Sequence, residues 1–439
     1  MQDATLRELV VQVCNRNSNR VVEGLQAFLT GLNMNESPRG KEQALRSVLL
    51  SVNAELVRDA LEQAEPELRE RLRQQGHRDG RGQLCPGALR SKGFKFTTLL
   101  LLFGPVRVRQ WTALCPVCHR RIGALDELLG VVNGMSADTA AVVAEAAAVL
   151  AYEPARKHLE GLHGLPVDDN RIHRTVSLVG PAAQRAQEQA PPLVGRERPP
   201  KGARIYTLVD GGRCRSREPG RAWWEPVLGL VMWEGRDGKL VKHGVSHPSD
   251  KARVLSVLER YIRRLAPNHE LVILSDGAEW IQKWADQFPE AIRILDYYHV
   301  KEHVWKAAKE LHGEGTPQAA RWADHILNRL WRGWTRSTVA ELDRMKPRGL
   351  ERDRQRKALN ELATYLENHA GLIKFGQHRN AGRFIGSGAI ESLCKQVFTM
   401  RIKGPGMFWS EEGAGNVMAL RTAYVTGHLD SVFDRAIAA

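Results

Sequence analysis

Three apolar runs in this sequence each end on an aspartate: "RIYTLVDGG" at Asp210, "ELVILSDGAEW" at Asp276 and "AIRILDYYHV" at Asp296. A fourth acid, Glu391, sits in "GSGAIESLCK". In an open α/β sheet, side chains at the carboxyl ends of strands line the crevice where ligands bind. The run Leu271–Leu274 is apolar throughout, as in a strand buried on both faces, so Asp276 emerges at its end. An aspartate there is costly unless a cation or hydrogen-bond donors reach it. Several carboxylates converging from separate strands therefore call for a hard divalent ion, Mg²⁺ or Mn²⁺. Glu391 also has two plainer readings. Ser387 reads as a helix N-cap, with Glu391 one residue beyond the capping-box position that Ile390 holds, where it would meet the helix dipole. Glu391 and Lys395 are also spaced as an i,i+4 ion pair.

A second set of residues has metal-ligand spacing. "CPVC" places Cys115 and Cys118 after two β-type runs flanking Gly104-Pro105, which predict a hairpin. A C-x-x-C beside a hairpin is half of a zinc ribbon. Cys85, 30 residues before Cys115, is a third candidate ligand, but its C-x-x-C partner position holds Ala88. His77 or His119 is the candidate fourth ligand for Zn²⁺. The alternative is a vestigial ribbon packed without metal.

The elements that must position these groups follow from periodicity. Residues 1–75 are helical in pattern, and the Gly- and Arg-rich segment Gly76–Gly87 reads as a loop. Ser136 caps an Ala-rich helix. "EPARKHLEGLHG" is a second helix, and Asp168 or Asp169 caps a third, "NRIHRTVSLVG". Helix, short turn and basic-faced helix form a helix-turn-helix pattern. Arg171 and Arg174 on the last helix either meet phosphates and base edges or are solvated. The Pro-rich "PPLVGRERPPKG" is a linker. Beyond it the order is β-β-β-α-β-α-β, then helices over 298–375. Asp210 and Asp276 lie 66 residues apart, which suits strands one and four of that core. Asp276 and Glu391 lie 115 apart, enough for an all-helical insertion. This is the layout of a ribonuclease-H-like core with an insertion. The chain thus reads as a helical region (1–75), a zinc-ribbon-like module (76–130), a helix-turn-helix-like region (131–190), a linker (191–203), the first part of the core (204–300), a helical insertion (301–380) and the last part of the core with the Glu391 helix (381–439).

The 439 residues carry 64 Lys and Arg against 50 Asp and Glu, a net charge of +14, which favours a polyanionic partner such as nucleic acid. The longest apolar stretch, "TTLLLLFGPV", is shorter than the roughly 20 residues that span a bilayer. No secretory pattern opens the chain, so a soluble, cytoplasmic protein is expected. Six cysteines at irregular spacing do not form a disulfide framework.

The motifs "VDGG" at Asp210, "LSDGAEWI" at Asp276, "ILDYYHVKEHV" from Asp296 to His299, "GSGAIESLCKQ" at Glu391, then "RIKGPGMFW" and "NVMALR", resemble in order and spacing the DDE transposases of bacterial insertion sequences. The group resembled is the ISKra-type, with Mutator-like relatives. The resemblance covers roughly the last two-thirds of the chain and, more loosely, the ribbon and helix-turn-helix. It implies a polynucleotidyl transferase that binds element ends and target DNA, as a dimer or larger on DNA, in the cytoplasm at the nucleoid. It implies two Mg²⁺ or Mn²⁺ ions per site, with Asp210 bridging both and Asp276 and Glu391 each holding one. Asp296 and His299 resemble a D-x-x-H motif, with support or DNA positioning as its implied role; His299 reads equally as a core histidine. Lys395, Arg401 and Lys403 are candidates for phosphate contact, and Trp223, Trp224 and Trp409 for base stacking. Two other classes stay open: a domesticated, non-catalytic DNA-binding protein, and a ribonuclease-H-like structure-specific nuclease.

Overall fold

A computed structural model describes residues 3–30, 41–79, 83–189, 198–347 and 351–438. The chain forms two compact units, one of residues 1–184 with 428–439, the other of residues 185–427. Most of the linker read at 191–203 lies outside the described residues.

In the first unit, α1 (Asp3–Thr30) packs along α2 (Lys41–Gln75), with Arg20 reaching Glu55 at 3.0 Å and Arg16 reaching Asp59 at 2.9 Å. The segment read as a loop contains two short strands, β1 (His77–Arg78) and β2 (Leu84–Cys85), paired antiparallel. The expected hairpin is β3 (Arg90–Leu101) and β4 (Gly104–Leu114); Gly104-Pro105 opens β4, and Leu102 and Phe103 make the turn. β5 (Arg121–Gly123) extends this sheet only along the end of β4. Where β5 does not reach, α2 supplies acceptors: Glu62 takes the Arg109 N–H at 2.9 Å and Glu65 the Trp111 N–H at 3.0 Å. Such edge amides would otherwise be orphaned beneath a helix. Then come α3 (Ala124–Leu128), α4 (Ala137–Val149, capped by Ser136), α5 (Tyr152–His158) running into a π-helical turn, and α6 (Asp169–Glu188). Asp168 is the cap of α6, its Oδ1 accepting from Arg171 N at 2.6 Å, and the helix continues through Pro181 beyond the expected stretch. The last helix, Leu429–Ala438, belongs to this unit and not to the core assigned to 381–439.

The second unit is built on a five-stranded mixed sheet. Its strands are β6 (Arg204–Gly211), β9 (Val227–Glu234), β10 (Leu240–His247), β11 (Glu270–Ser275) and β12 (Ile292–Leu295), with a small hairpin of β7 (Cys214–Arg215) and β8 (Trp223–Trp224) inserted after β6. The spatial order is β10-β9-β6-β11-β12; β9 runs antiparallel to both neighbours, and β6, β11 and β12 are parallel. Helices α7 (Lys251–Leu265) and α8 (Glu279–Ala285) cover one face, where Ile205, Val209, Leu271 and Ile273 pack on Val254, Leu258, Ile262 and Trp284. Alternation along each strand then sends Leu208, Asp210, Leu274 and Asp276 to the other face. A helical layer follows β12: α9 (Tyr297–His312), α10 (Pro317–Trp331), α11 (Thr335–Arg344), α12 (Arg352–Asn368) and α13 (Phe375–Asn380), with a core including Val304, Ala308, Ile326, Leu330, Leu362 and Leu366. The chain returns to the sheet with α14 (Gly388–Cys394), a π-helical continuation Lys395–Ile402, and α15 (Glu411–Thr426). α14 lies on β6 and β9, and α15 on β10. A methyl on Gly244 of β10 would stand 2.6 Å from Thr422 of α15, so the sheet meets this layer closely.

Candidate active site

The register aligns the three aspartates. Leu208 pairs with Leu274, so Asp210 and Asp276 are each two residues beyond that pair. Ser275 pairs with Leu295, so Asp276 and Asp296 are each one residue beyond. They stand side by side on adjacent parallel strands, which lie about 4.8 Å apart. The Asp210 Oδ1 accepts from Gly211 N at 2.7 Å, and the Asp276 Oδ1 from Ala278 N at 2.9 Å. Both carboxylates are half-buried. The glycines that follow them have a packing reason. Gly277 has φ +94°, and a methyl there would lie 2.5 Å from the His369 ring. A methyl on Gly212 would lie 2.7 Å from the Phe398 ring.

Asp296 differs from its neighbours in being fully buried. Its Oδ1 caps α9, accepting from Tyr298 N at 2.5 Å and His299 N at 3.2 Å. Its Oδ2 accepts from Ser387 N at 2.9 Å and from the Ser387 hydroxyl. The same hydroxyl meets Glu391 Oε1. The Ser387 hydroxyl thus lies between the two carboxyl groups. Burial pushes the Asp296 carboxyl above its ordinary range against the pull of the Ser387, His299 and Tyr298 amides, and the charge of Glu391 adds to the rise. Ser387 therefore makes no side-chain cap on α14, contrary to the capping reading; its hydroxyl is used between two acids. Among the described residues no ion pair joins Glu391 to Lys395. Gly386 packs flat on Tyr298, where a methyl would lie 2.6 Å from the ring. The Gly-Ser-Gly turn thus docks the start of α14 onto the start of α9. Glu391 is exposed one turn further on. Below it the buried Cys394 thiol is pushed up, first by burial and then by the Asp210 carboxylate, with Glu391 contributing. Both acids therefore act on one thiol, on the face that α14 shares with β6.

The helical layer touches the same strand ends. The Tyr365 hydroxyl of α12 donates to Asp276 O at 3.4 Å; burial makes it harder to ionise, and the Asp276 and Asp296 charges add to that. His369 lies between Tyr365 O at 2.8 Å and Gly277 O at 3.0 Å. Sequence reasoning missed Ser387 as a bridge, and missed Tyr365 and His369 altogether. A serine between two glycines beside an acid was the visible signal for the first; the other two had none. His299 gives its backbone N–H to Asp296, while its ring lies 6.3 Å from that of His303.

Of the candidate DNA contacts, Arg401 needs correction, and half-buried Arg171 is engaged within its own unit. Arg401 is 1% exposed and its guanidinium lies 5.4 Å from the Trp409 ring centre, so it packs inside the unit. Arg171 donates to Asn133 O at 3.2 Å and Gly134 O at 2.9 Å, bracing its own unit. Arg174, Lys395 and Lys403 are exposed. Trp224 is buried and Trp409 half-buried, each with its indole N–H bonded to a carbonyl, whereas Trp223 is exposed.

In the first unit, His77, Cys85, Cys115 and Cys118 bring one ligand atom each within 4.8 Å of one another. Among the described residues this is the only such set of His, Cys, Asp or Glu; the acids at the strand ends are spread more widely. Cys85 Sγ and Cys115 Sγ are 3.7 Å apart, and His77 Nε2 and Cys118 Sγ 3.3 Å. Zn–S bonds of about 2.3 Å at tetrahedral angles set sulfurs about 3.8 Å apart. A disulfide would need about 2 Å. The fourth member is His77, not His119, and it stands in for the cysteine missing at Ala88. Burial lowers the proton affinity of His77, which favours the neutral, ligating ring. Burial disfavours the Cys115 thiolate, but the Cys118 and Val117 amides outweigh it and the thiol falls below its ordinary value. The Gly87 amide favours the Cys85 thiolate, but burial and the neighbouring sulfurs outweigh it and push that thiol up. A methyl on Gly87 would lie 2.9 Å from Val117 and run into Cys115.

Among the described residues no helix is long and apolar enough to cross a membrane. No curated protein matches the chain. Residues 143–432, about two-thirds of the sequence, match a family that takes in both the aspartate strands and α14 and begins after the cysteine–histidine group; the chain belongs to the uncharacterised protein family UPF0236.

Proposed function

We propose that this chain is a DDE-type transposase, a polynucleotidyl transferase that cuts DNA at element ends and joins the ends to target DNA. One observation carries the reading: Asp210, Asp276 and Asp296 stand level on three adjacent parallel strands, on the sheet face to which α14 brings Glu391. The strand order, with one antiparallel member, supports a ribonuclease-H-like core, and α9–α13, lying between β12 and α14, suit a helical insertion in it. Asp210, Asp276 and Glu391 are hard oxygen donors and suit Mg²⁺ or Mn²⁺. Two such ions, when bound, would supply an activated oxygen nucleophile and stabilise the leaving oxygen of an in-line displacement. The chain's own residues set the carboxylates in place. Ala278 N fixes one oxygen of Asp276, His369 and Tyr365 hold the turn behind it, and Asp296 positions Glu391 through Ser387. Lys395 and Lys403 would take phosphates, and the helix-turn-helix-like region with Arg174 would contact the element ends. Coordinated cleavage of two ends implies at least a dimer on DNA, and the site of action would be the cytoplasm, at the nucleoid.

The test is strand transfer with the element's own flanking DNA in Mg²⁺. Wild-type chain joins ends to target; Glu391→Gln binds the same ends but neither cuts nor joins. Transfer by Glu391→Gln at near wild-type rate would sink the reading. Cutting without joining would indicate the nuclease alternative, and end binding without either would indicate a domesticated DNA-binding protein.

A separate observation supports a structural Zn²⁺ site: four soft and borderline donors, His77, Cys85, Cys115 and Cys118, at near-tetrahedral spacing. Zinc there would hold β1–β2 to the turn between β4 and β5.

A further inference from the structure

Four residues after Asp210, the β7–β8 hairpin carries an unusual surface. Alternation sends Cys214 and Trp224 inward and Arg215 and Trp223 outward. The chain beyond Lys403 meets the hairpin in a single parallel bridge: Trp409 N donates to Arg215 O at 3.1 Å, and Arg217 N to Trp409 O at 3.0 Å. This brings Phe408 beside Arg215, whose guanidinium lies 5.4 Å from the Trp223 ring centre and 5.6 Å from that of Phe408. Trp223 is 47% exposed and Phe408 51%. Arg213, Arg217 and Arg221 on the same segment and Lys403 just before the sealing chain are exposed as well. Two large rings in water with a guanidinium between them are poor packing but a good receptor for a planar π-system next to an anion. The hairpin is also close to the acids: five residues of extended chain from Asp210 to Arg215 reach at most about 18 Å.

We propose that Trp223, Phe408 and Arg215 form a platform that stacks an unpaired nucleobase of the DNA strand whose phosphate lies at Asp210, Asp276 and Glu391, with Arg213, Arg217 and Lys403 on its phosphates. The proposal rests on the transferase reading and adds the state of the substrate strand: unpaired beside the reacting phosphate. Stacking serves any base, so the platform selects for an unpaired strand and not for a sequence. Trp224 and Trp409, which looked equivalent in sequence, form the support beneath it.

The experiment is a titration of full-length protein, without divalent metal, with two labelled duplexes: one blunt, one with a three-nucleotide single-stranded 3′ overhang. Wild type binds the overhang duplex more tightly. Trp223→Ala and Phe408→Ala each weaken overhang binding about tenfold or more and leave blunt-duplex affinity unchanged. Arg215→Lys, which keeps the charge and loses the plane, also reduces the overhang preference. Unchanged blunt binding shows that the variants are folded. Equal affinity of wild type for both duplexes, or retained preference in both alanine variants, overturns the platform. A change in oligomeric state in Trp223→Ala with the overhang preference intact also overturns it, and marks a protein contact. Because no metal is present, the result is independent of the carboxylates: the preference can stand while Glu391→Gln still transfers strands, or fail while Glu391→Gln is dead.

Discussion

Asp296→Asn is the smallest change that tests whether one buried carboxylate joins α9 to α14. The aspartate accepts on both sides, from the Tyr298 and His299 amides at Oδ1 and from the Ser387 amide and hydroxyl at Oδ2. Asparagine has one acceptor end and one donor end. If its NH₂ faces α9, two amides lose their acceptor. If it faces Ser387, one amide does, and the hydroxyl can turn to accept. The second arrangement costs less and should prevail. Leaving one buried N–H without a partner costs about 1–3 kcal/mol. For a unit of the size of residues 185–427, that lowers the melting temperature by roughly 2–12 °C. Calorimetry of the full chain reads the first quantity, and amide hydrogen exchange locates it: Ser387 N–H should lose protection while Tyr298 and His299 keep theirs. Asp296→Ala removes all four accepted bonds and should fall further. Ser387→Ala keeps its backbone bond to Asp296 but loses the hydroxyl's contacts with both Asp296 and Glu391, so it should fall less than Asp296→Ala and transfer strands more slowly. Wild-type melting and undisturbed Ser387 protection in Asp296→Asn would refute the joint. The pH dependence has a definite sign. A carboxyl raised by burial binds its proton more readily in the folded chain. Its own contribution to stability therefore grows as pH falls through its raised value towards the unfolded carboxylate range.

Other expectations follow from the same geometry. Asp210→Asn and Asp276→Asn should lose strand transfer by several orders of magnitude, as Glu391→Gln does, and pairing any two should add little because the three act as one unit; additive losses in transfer kinetics would argue against a shared site. Purified chain should hold about one zinc by metal analysis; His77→Ala or a Cys115→Ser, Cys118→Ser pair should abolish it, and Gly87→Ala should weaken it by crowding Cys115. Retention of zinc by the double serine variant would exclude these ligands. Glu270 receives both the Nε of Arg383 at 3.0 Å and its Nη2 at 2.8 Å, with Arg204 Nε at 2.8 Å, and its carboxyl is held low, chiefly by Arg383. Glu270→Gln should cost about 1 kcal/mol in denaturant melts at neutral pH. A depressed carboxyl contributes above its unfolded value and loses that contribution as pH falls through its folded value, so wild type and variant should converge in acid; a constant gap down to pH 3 would contradict the ion pair.

Much of the second unit was legible because short apolar runs bounded by glycine and aspartate can be little else than buried strands, and their order survived intact with only β7–β8 added. The β3–β4 hairpin was legible for a similar reason. The ligand set in the first unit was half visible: "CPVC" stands out at any distance, while His77 becomes a member only when β1 pairs with β2. Charge was the least reliable guide. Arg401 read as a phosphate contact, yet a guanidinium can lie under a tryptophan as readily as on DNA, and nothing local distinguishes the cases. The D-x-x-H pair divides on inspection, with Asp296 acting as a joint through its side chain and His299 contributing a backbone amide.

What sequence could not show is why each acid has a glycine beside it or close by. Gly212, Gly277 and Gly386 admit no methyl group, and in each case the obstacle is a ring from a distant stretch of chain: Phe398, His369 and Tyr298. These three contacts fasten the π-helical continuation of α14 to the end of β6, α12 to the end of β11, and the start of α14 to the start of α9. The acids themselves are half-buried or exposed, so their own packing does little to hold them. Their positions are set by neighbouring backbone pressed against aromatic and imidazole rings and by one hydrogen bond to each carboxylate, from Gly211 N, Ala278 N and the Ser387 hydroxyl. A glycine is visible in the sequence, but the ring that requires it is not. That separation is why the acids could be chosen from the sequence and the machinery that aims them could not.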